Sequence, residues 1–182
     1  MTASTAMEDR PLVLIAIGGN SLIADADRMT VLDQYRAAGE TAKHIAPIVE
    51  KGYRVVVTHG NGPQVGFILL RSEIAKEKLH PVPLANCVAD TQGSIGMQIA
   101  QSLKNEFLRR GSEQQVATLV TQVVVDPFDP NFLNPTKPIG PFMPEAEAKR
   151  HEREDGWAIV EEKSRGWRRV CLLYTSPSPR DS

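Results

Sequence analysis

Two glycine-rich segments, each directly after a short apolar run, constrain the fold of this chain more than any other feature. GGNSL (18–22) follows the apolar run 11–17, and HGNGPQ (59–64) follows the run 53–59. Short runs of branched apolar residues bounded by glycine predict β-strands that are buried on both faces. Each of the two predicted strands is therefore followed by a loop in which glycine leaves the backbone N–H groups accessible.

Elements of the two types alternate along the chain. Apolar residues at helical spacing predict helices over 31–51, 62–78 and about 91–110, and the run 114–125 predicts a third strand. Pro47 lies inside the first helical pattern and predicts a kink or a break there. Strands that alternate with helices predict an α/β fold, with an open, mostly parallel sheet between helix layers.

A proline-dense segment follows the third predicted strand. Residues 126–144 contain six prolines, and proline cannot donate to the hydrogen bonds of a central strand. A segment of this length and composition predicts a protruding subdomain. The predicted organisation is a flexible N-terminus (1–11), an N-terminal lobe (12–124), the protruding subdomain (125–165), a return toward the sheet (166–170) and a tail (171–182).

Composition excludes several classes of function. The 21 Lys and Arg nearly balance the 22 Asp and Glu, and aromatic residues make up 5% of the chain, so neither a nucleic acid nor an acidic membrane surface is a predicted partner. The apolar runs are far shorter than the roughly 20 residues that a membrane span needs. Cys87 and Cys171 form no CxxC motif, so no metal site is predicted. A cytoplasmic globular protein is the expectation.

The two glycine segments predict a site for an anion. Because the carboxyl ends of parallel strands meet at one edge of a sheet, both loops are expected at the edge where open α/β proteins bind ligands. Backbone N–H groups in such loops, with a helix N-terminus behind them, can hold a phosphate or a carboxylate. Either loop alone is equally well explained as a turn. Gly60, Gly62 and Gly66 also form GxGxxxG, one residue away from the dinucleotide fingerprint, which leaves a nucleotide-binding module as an alternative.

Five segments together resemble carbamate kinase of the amino-acid kinase superfamily. In chain order they are IAIGGNSL, VVVTHGNGPQVG, DTQGSIGMQIAQSL, TLVTQV and NPTKPIGPF. The resemblance extends over about 12–170 and covers the N-terminal half of that family. It implies a three-layer sandwich, a homodimer, and reversible phosphoryl transfer between ATP and carbamate with Mg²⁺, which yields carbamoyl phosphate and ADP. This reaction commonly belongs to arginine breakdown.

The resemblance also implies which residues form the site. On one side Gly60 and Asn61 would hold the carbamate or the transferred phosphoryl group. On the other side stands the partner loop of Gly18, Gly19 and Asn20. Lys137 matches a lysine of the family's protruding subdomain that closes over the substrate. His59, Gln64 and Gln92 receive no role.

Two departures from the family pattern lead to further expectations. The family's nucleotide site and its other phosphate-binding lysines lie mainly in a C-terminal half, which has no counterpart in this sequence. Beyond Val170 the sequence continues as CLLYTSPSPRDS, where the family would proceed to another strand, so 171–182 is expected to be a non-native tail. The chain by itself is therefore expected to be an inactive fragment. The alternative function is a non-catalytic anion- or nucleotide-binding module.

Overall fold

A computed structural model of the chain describes residues 10–22, 30–124, 126 and 128–171. The chain divides into two compact units, the first formed by 1–64 and 85–120 and the second by 65–84 and 121–182. The predicted boundaries at 11, 124, 165 and 170 remain predictions, and most of the predicted N-terminal segment and tail lie outside the described residues. The helices and strands are β1 (Leu12–Ile17), α1 (Val31–Glu50), β2 (Arg54–His59), α2 (Gly62–Ala75), α3 (Leu84–Arg109), β3 (Lys137–Met143), α4 (Glu145–Asp155), β4 (Ala158–Glu162) and β5 (Gly166–Cys171).

The first unit is built on a parallel strand pair. β1 and β2 pair in parallel from Leu12 opposite Arg54 to Ile17 opposite His59. The register brings the carboxyl ends of both strands level with each other, at Ile17 and His59. The predicted α/β fold with a parallel sheet is confirmed, and the two glycine segments leave the sheet at the same edge.

Burial of this sheet differs from the prediction. Ile15, Val55 and Val57 pack against a core formed by α1 and α3, whereas Leu12 and Leu14 are 60% and 65% exposed. Successive side chains of a strand point to opposite faces. Because α1 and α3 both supply the core on one face, the prediction that β1 and β2 are buried on both faces is wrong for the described residues.

The predicted third strand is also not formed. Residues 112–124 have a strand-like sequence, but they form no strand in the described structure. Part of this segment lies on α3, where Val116 packs against the core and Lys104 Nζ donates to the Gln114 carbonyl at 3.0 Å. A strand requires a hydrogen-bonded neighbour, and among the described residues this segment does not pair with either free edge of the two-stranded sheet of β1 and β2. Leu119 is consequently 79% exposed, although it belongs to a run of high strand propensity.

Helix ends follow local chemistry more closely than apolar spacing. α1 begins where predicted, because Thr30 and Asp33 form a capping box in which each side chain accepts from the other residue's backbone N–H at 3.2 Å. Pro47 lies in the last turn and α1 continues to Glu50, so a break at Pro47 is wrong and the alternative of a kink stays a prediction. α3 begins at Leu84, seven residues before the predicted start. Among the described residues, no helix is long and apolar enough to cross a membrane.

The second unit contains an antiparallel sheet of three strands in the order β3, β5, β4. Lys137 begins β3 opposite Cys171, the last residue of β5. Gly140 has a φ of +72°, a backbone conformation that favours glycine. The Arg168 side chain donates to the Gly140 carbonyl at 3.1 Å, which ties β5 to the turn in β3. Burial raises the pKa of the Cys171 thiol.

Candidate anion-binding site

The two glycine loops touch each other through their backbones. The Gly60 N–H donates to the Ile17 carbonyl at 2.8 Å. A β-carbon placed on Gly60 would lie 2.7 Å from the Gly19 nitrogen, and one placed on Gly19 would lie 3.1 Å from the Asn61 nitrogen. A contact of 2.7 Å is closer than carbon and nitrogen approach each other without a bond. Glycine at position 60 is therefore required for this loop contact, which a simple turn would not need.

The contacts around Gly60 also hold the loops in place. The Ser21 N–H donates to the Gly18 carbonyl at 2.9 Å, which closes the single 3-10 turn after β1. His59 Nδ1 donates to the Gly60 carbonyl at 3.3 Å, so His59 supports the loop backbone. α2 begins at Gly62, two residues after Gly60. The first N–H groups of a helix lack intrahelical acceptors and carry partial positive charge, which suits this edge to an anion.

Asn61 is oriented by a buried residue of α3. Its Nδ2 donates to Thr91 Oγ1 at 2.8 Å, and Thr91 Oγ1 in turn donates to the Val88 carbonyl at 2.7 Å. Thr91 is fully buried, so this hydroxyl is fixed. The chain of two hydrogen bonds uses one N–H of the Asn61 amide and sets the direction of the other.

Thr91 is the site residue that sequence reasoning missed. It lies in DTQGSIGMQIAQSL, a segment whose helical pattern and family resemblance indicate no contact with the glycine loops. A threonine within a helix is ordinarily explained by a bond to its own backbone, as Thr91 indeed makes. Only the fold shows that the same hydroxyl accepts from an asparagine thirty residues away.

Replacing Thr91 tests this orientation. We expect Thr91→Val to lower the stability of the chain by about 1–3 kcal/mol, because Val keeps the shape but leaves the Asn61 amide and the Val88 carbonyl without their buried partner. Thr91→Ser retains the hydroxyl and is the matched control. Chemical unfolding of both variants measures the difference, and equal stability of the Val and Ser variants would show that the hydroxyl bond to Asn61 is unimportant.

The remaining predicted residues have mixed outcomes. The backbone of Asn20 lies in the 3-10 turn Gly19–Leu22, but its side chain lies outside the described part of the structure. Gln64 is 6% exposed, and neither atom of its side-chain amide has a hydrogen-bond partner among the described residues. Gln92 is half-buried. Lys137 is exposed at the start of β3 in the second unit, and its place over the glycine loops remains a prediction.

The described residues therefore form an α/β unit in which two parallel strands end in contacting glycine loops, one of which leads into a helix, and this sheet edge is the candidate anion site. The sequence profile of the amino acid kinase family matches residues 11–140. The chain belongs to the amino acid kinase family.

Individual relatives that match this chain include carbamate kinases and a carbamate kinase-like protein. Over 171 residues the chain is 47% identical to a carbamate kinase of Pyrococcus horikoshii, a match that covers 92% of this chain and 53% of the relative. It is 45% identical to the carbamate kinase-like protein YahI of Escherichia coli, over 94% of this chain and 54% of that protein. Among solved structures, a carbamate kinase of Giardia lamblia bound to AMP-PNP superposes with a TM-score of 0.80 and 38% identity, over 90% of this chain and 52% of that one. The chain spans about half the length of the relatives it matches.

Proposed function

We propose that the protein to which this chain corresponds is a carbamate kinase, which transfers a phosphoryl group reversibly between ATP and carbamate. The observation that carries the proposal is the backbone contact between Gly19 and Gly60, where a β-carbon on Gly60 would lie 2.7 Å from the Gly19 nitrogen and one on Gly19 would lie 3.1 Å from the Asn61 nitrogen. Because both loops leave the same sheet edge and touch each other, both can contact one phosphate or carbamate group bound at that edge. Similarity to carbamate kinases at 47% identity supports the choice of substrate.

Phosphoryl transfer requires positioning and charge neutralisation more than a covalent group on the protein. In the proposed reaction, the oxygen of carbamate attacks the terminal phosphorus of ATP as the bond to the ADP oxygen breaks; the reverse direction forms ATP from carbamoyl phosphate. The loop of Gly18, Gly19 and Asn20 and the loop of Gly60 and Asn61 would hold the carbamate and the moving phosphoryl group. The Asn61 amide is preorganised for this by Thr91, so little reorganisation accompanies the reaction.

We propose that ATP and ADP serve as cofactors with Mg²⁺. The segments GGNSL and HGNGPQVG contain no carboxylate, so these loops fit an anion and do not fit a metal ion directly. The nucleotide itself is proposed to bind residues that this chain does not contain. Magnesium would supply neutralisation of phosphate charge. Homodimer formation, a cytoplasmic location and a role in arginine breakdown are proposed from the family resemblance alone.

Lys137 is proposed to contact the substrate or the phosphoryl group. Its side chain is exposed at the beginning of β3, so no core contact restrains it. We expect Lys137→Ala in the complete protein to lower kcat/KM by about 10–100-fold, because a charge-assisted hydrogen bond contributes about 1.5–3 kcal/mol. Lys163→Ala, in the turn between β4 and β5, is the control. Steady-state rates of the two variants are compared with the wild type. If both variants keep the wild-type rate, Lys137 is a solvated lysine with no contact to the substrate.

We further propose that the 182-residue chain does not catalyse the reaction alone, since its described residues provide an acceptor site and the nucleotide site is proposed to lie elsewhere. The chain should bind carbamoyl phosphate weakly by calorimetry and should form no ATP from ADP and carbamoyl phosphate with Mg²⁺. Turnover by the chain alone would contradict this division of the site. The alternative, a non-catalytic anion-binding module, gains support if the complete protein also binds the anion without turnover.

A further inference from the structure

A cavity of about 400 Å³ lies within the second unit, and residues of the segment NPTKPIGPF form part of its wall. Its walls come from α2, the loop 81–84, β3 and α4, and they include Leu69, Val82, Ile139 and Met143. Cavities of this size accommodate small ligands. The lining is mainly apolar, but ionisable side chains converge at one side.

Those side chains form a cluster of Glu73, His151 and Asp155. Each residue offers a ligand atom, and these atoms all lie within 4.8 Å of one another. His151 and Asp155 are four residues apart on α4, so they lie on the same face of that helix. His151 Nδ1 lies 2.5 Å from Asp155 Oδ2, and Glu73 faces them from α2. One imidazole and two carboxylates from two helices are a ligand set that divalent transition metals accept.

The imidazole is held rigidly for such a role. His151 is 3% exposed, and its ring stacks on Trp157 with a centroid distance of 4.1 Å and an interplanar angle of 8°. The Arg169 guanidinium lies 4.7 Å from the centroid of the Trp157 ring. Arg150 Nη2 lies 3.3 Å from His151 Nε2 and Glu147 Oε1 lies 3.9 Å from it, so a carboxylate is near enough to support a metal-bound histidine once the guanidinium moves.

A cation already lies between the two carboxylates. Lys76 Nζ is 2.5 Å from Glu73 Oε1 and 3.9 Å from Asp155 Oδ1. The cluster therefore attracts positive charge, and the ammonium group is the cation that a metal ion would have to displace.

We propose that Glu73, His151 and Asp155 form a binding site for a divalent transition metal ion such as Zn²⁺, which joins α2 to α4. Glu73 and Asp155 each supply one oxygen and His151 supplies Nδ1, while a water from the cavity completes a tetrahedron. His151 Nδ1 donates to Asp155 in the absence of a metal ion. Metal binding at Nδ1 would place the ring proton on Nε2 by exchange with solvent, which requires the Arg150 guanidinium, 3.3 Å from Nε2, to withdraw so that Glu147 can accept the hydrogen bond. Zn–N and Zn–O bonds of about 2.0–2.2 Å require the ligand atoms to adjust by roughly 1–1.5 Å.

Trp157 provides a direct readout, because Co²⁺ bound at His151 quenches the fluorescence of a ring stacked on it. The full 182-residue chain with Trp167→Phe, which leaves Trp157 as the sole tryptophan, is titrated with Co²⁺ at submicromolar protein. We expect saturable quenching with one ion per chain, and recovery of the fluorescence when Zn²⁺ is added. Quenching that rises linearly without saturation would overturn the proposal.

Variants locate the ion. Glu73→Gln and Asp155→Asn should each weaken Co²⁺ binding by more than about tenfold, and neither residue is fully buried. Glu152→Gln, on the same helix and paired with Lys149 on the surface, should leave binding unchanged. Lys76→Met should tighten binding, because it removes the competing ammonium. If Glu73→Gln and Asp155→Asn bind Co²⁺ as the parent does, or if Lys76→Met weakens binding, these residues do not form the site.

Discussion

Gly60→Ala is expected to abolish most of the kinase activity that we propose for the complete protein. The added carbon would lie 2.7 Å from the backbone nitrogen of Gly19 and 3.4 Å from its α-carbon. Backbone atoms cannot rotate away as a side chain does, so the two loops have to separate. A displacement of about 1 Å in a positioning element can reduce a rate by 10²-fold, and strain of this type costs about 1–3 kcal/mol of stability.

Gly62→Ala is the matched control for this prediction. It lies in the same HGNGPQ segment, and a β-carbon at that position has no neighbour within 4 Å apart from the helix backbone. Thermal melts compare the two variants in the 182-residue chain, and reaction rates compare them in the complete protein. The comparison distinguishes a clash of the added β-carbon with Gly19 from a general effect of substituting alanine in this segment. Equal behaviour of the two variants would show that the loops do not need their close contact.

Asn61→Ala is expected to have an effect of similar size on catalysis. Loss of one preorganised hydrogen-bond donor to a transition state costs about 10²–10³-fold in kcat, by analogy with oxyanion donors. Asn61 fits that role because Thr91 fixes its amide, and Asn20→Ala should act in the same direction from the partner loop.

A structural effect of Asn61→Ala has to be distinguished from a catalytic one, because the variant also removes the bond to Thr91. Thr91→Val removes the same bond and keeps the Asn61 amide. We therefore expect the two variants to have similar unfolding free energies, with kcat much lower for Asn61→Ala. If kcat falls equally in both, the role of Asn61 is to hold the loop and not to contact the reacting group.

The sequence predicted the placement of the two glycine loops at one sheet edge because its determinants are local, whereas their binding of an anion stays a prediction. Glycines after apolar runs, and the rule that parallel strands end at one edge, were enough to bring 18–20 and 60–61 together, and the register of β1 and β2 confirms that both loops leave the same edge. The start of α1 was also predictable, since the capping box lies within four residues.

Features that depend on distant partners were not predictable from the pattern alone. Residues 114–125 have the composition of a strand, yet strand formation depends on a hydrogen-bonding neighbour that no local pattern specifies. The bond from Asn61 to Thr91 joins residues thirty positions apart. The cluster of Glu73, His151 and Asp155 joins two helices separated by about seventy residues, and its members have no motif spacing beyond the i, i+4 pair on α4.

The most direct test of the proposed function is an assay of the complete protein with ADP, carbamoyl phosphate and Mg²⁺, in which ATP formation is followed. A carbamate kinase should form ATP at a rate that depends on both substrates, and Gly60→Ala should reduce that rate strongly while Gly62→Ala does not. A complete protein that forms no ATP from carbamoyl phosphate, yet phosphorylates another small carboxylate with ATP, would contradict the proposed substrate and place the protein in another branch of the amino acid kinase family.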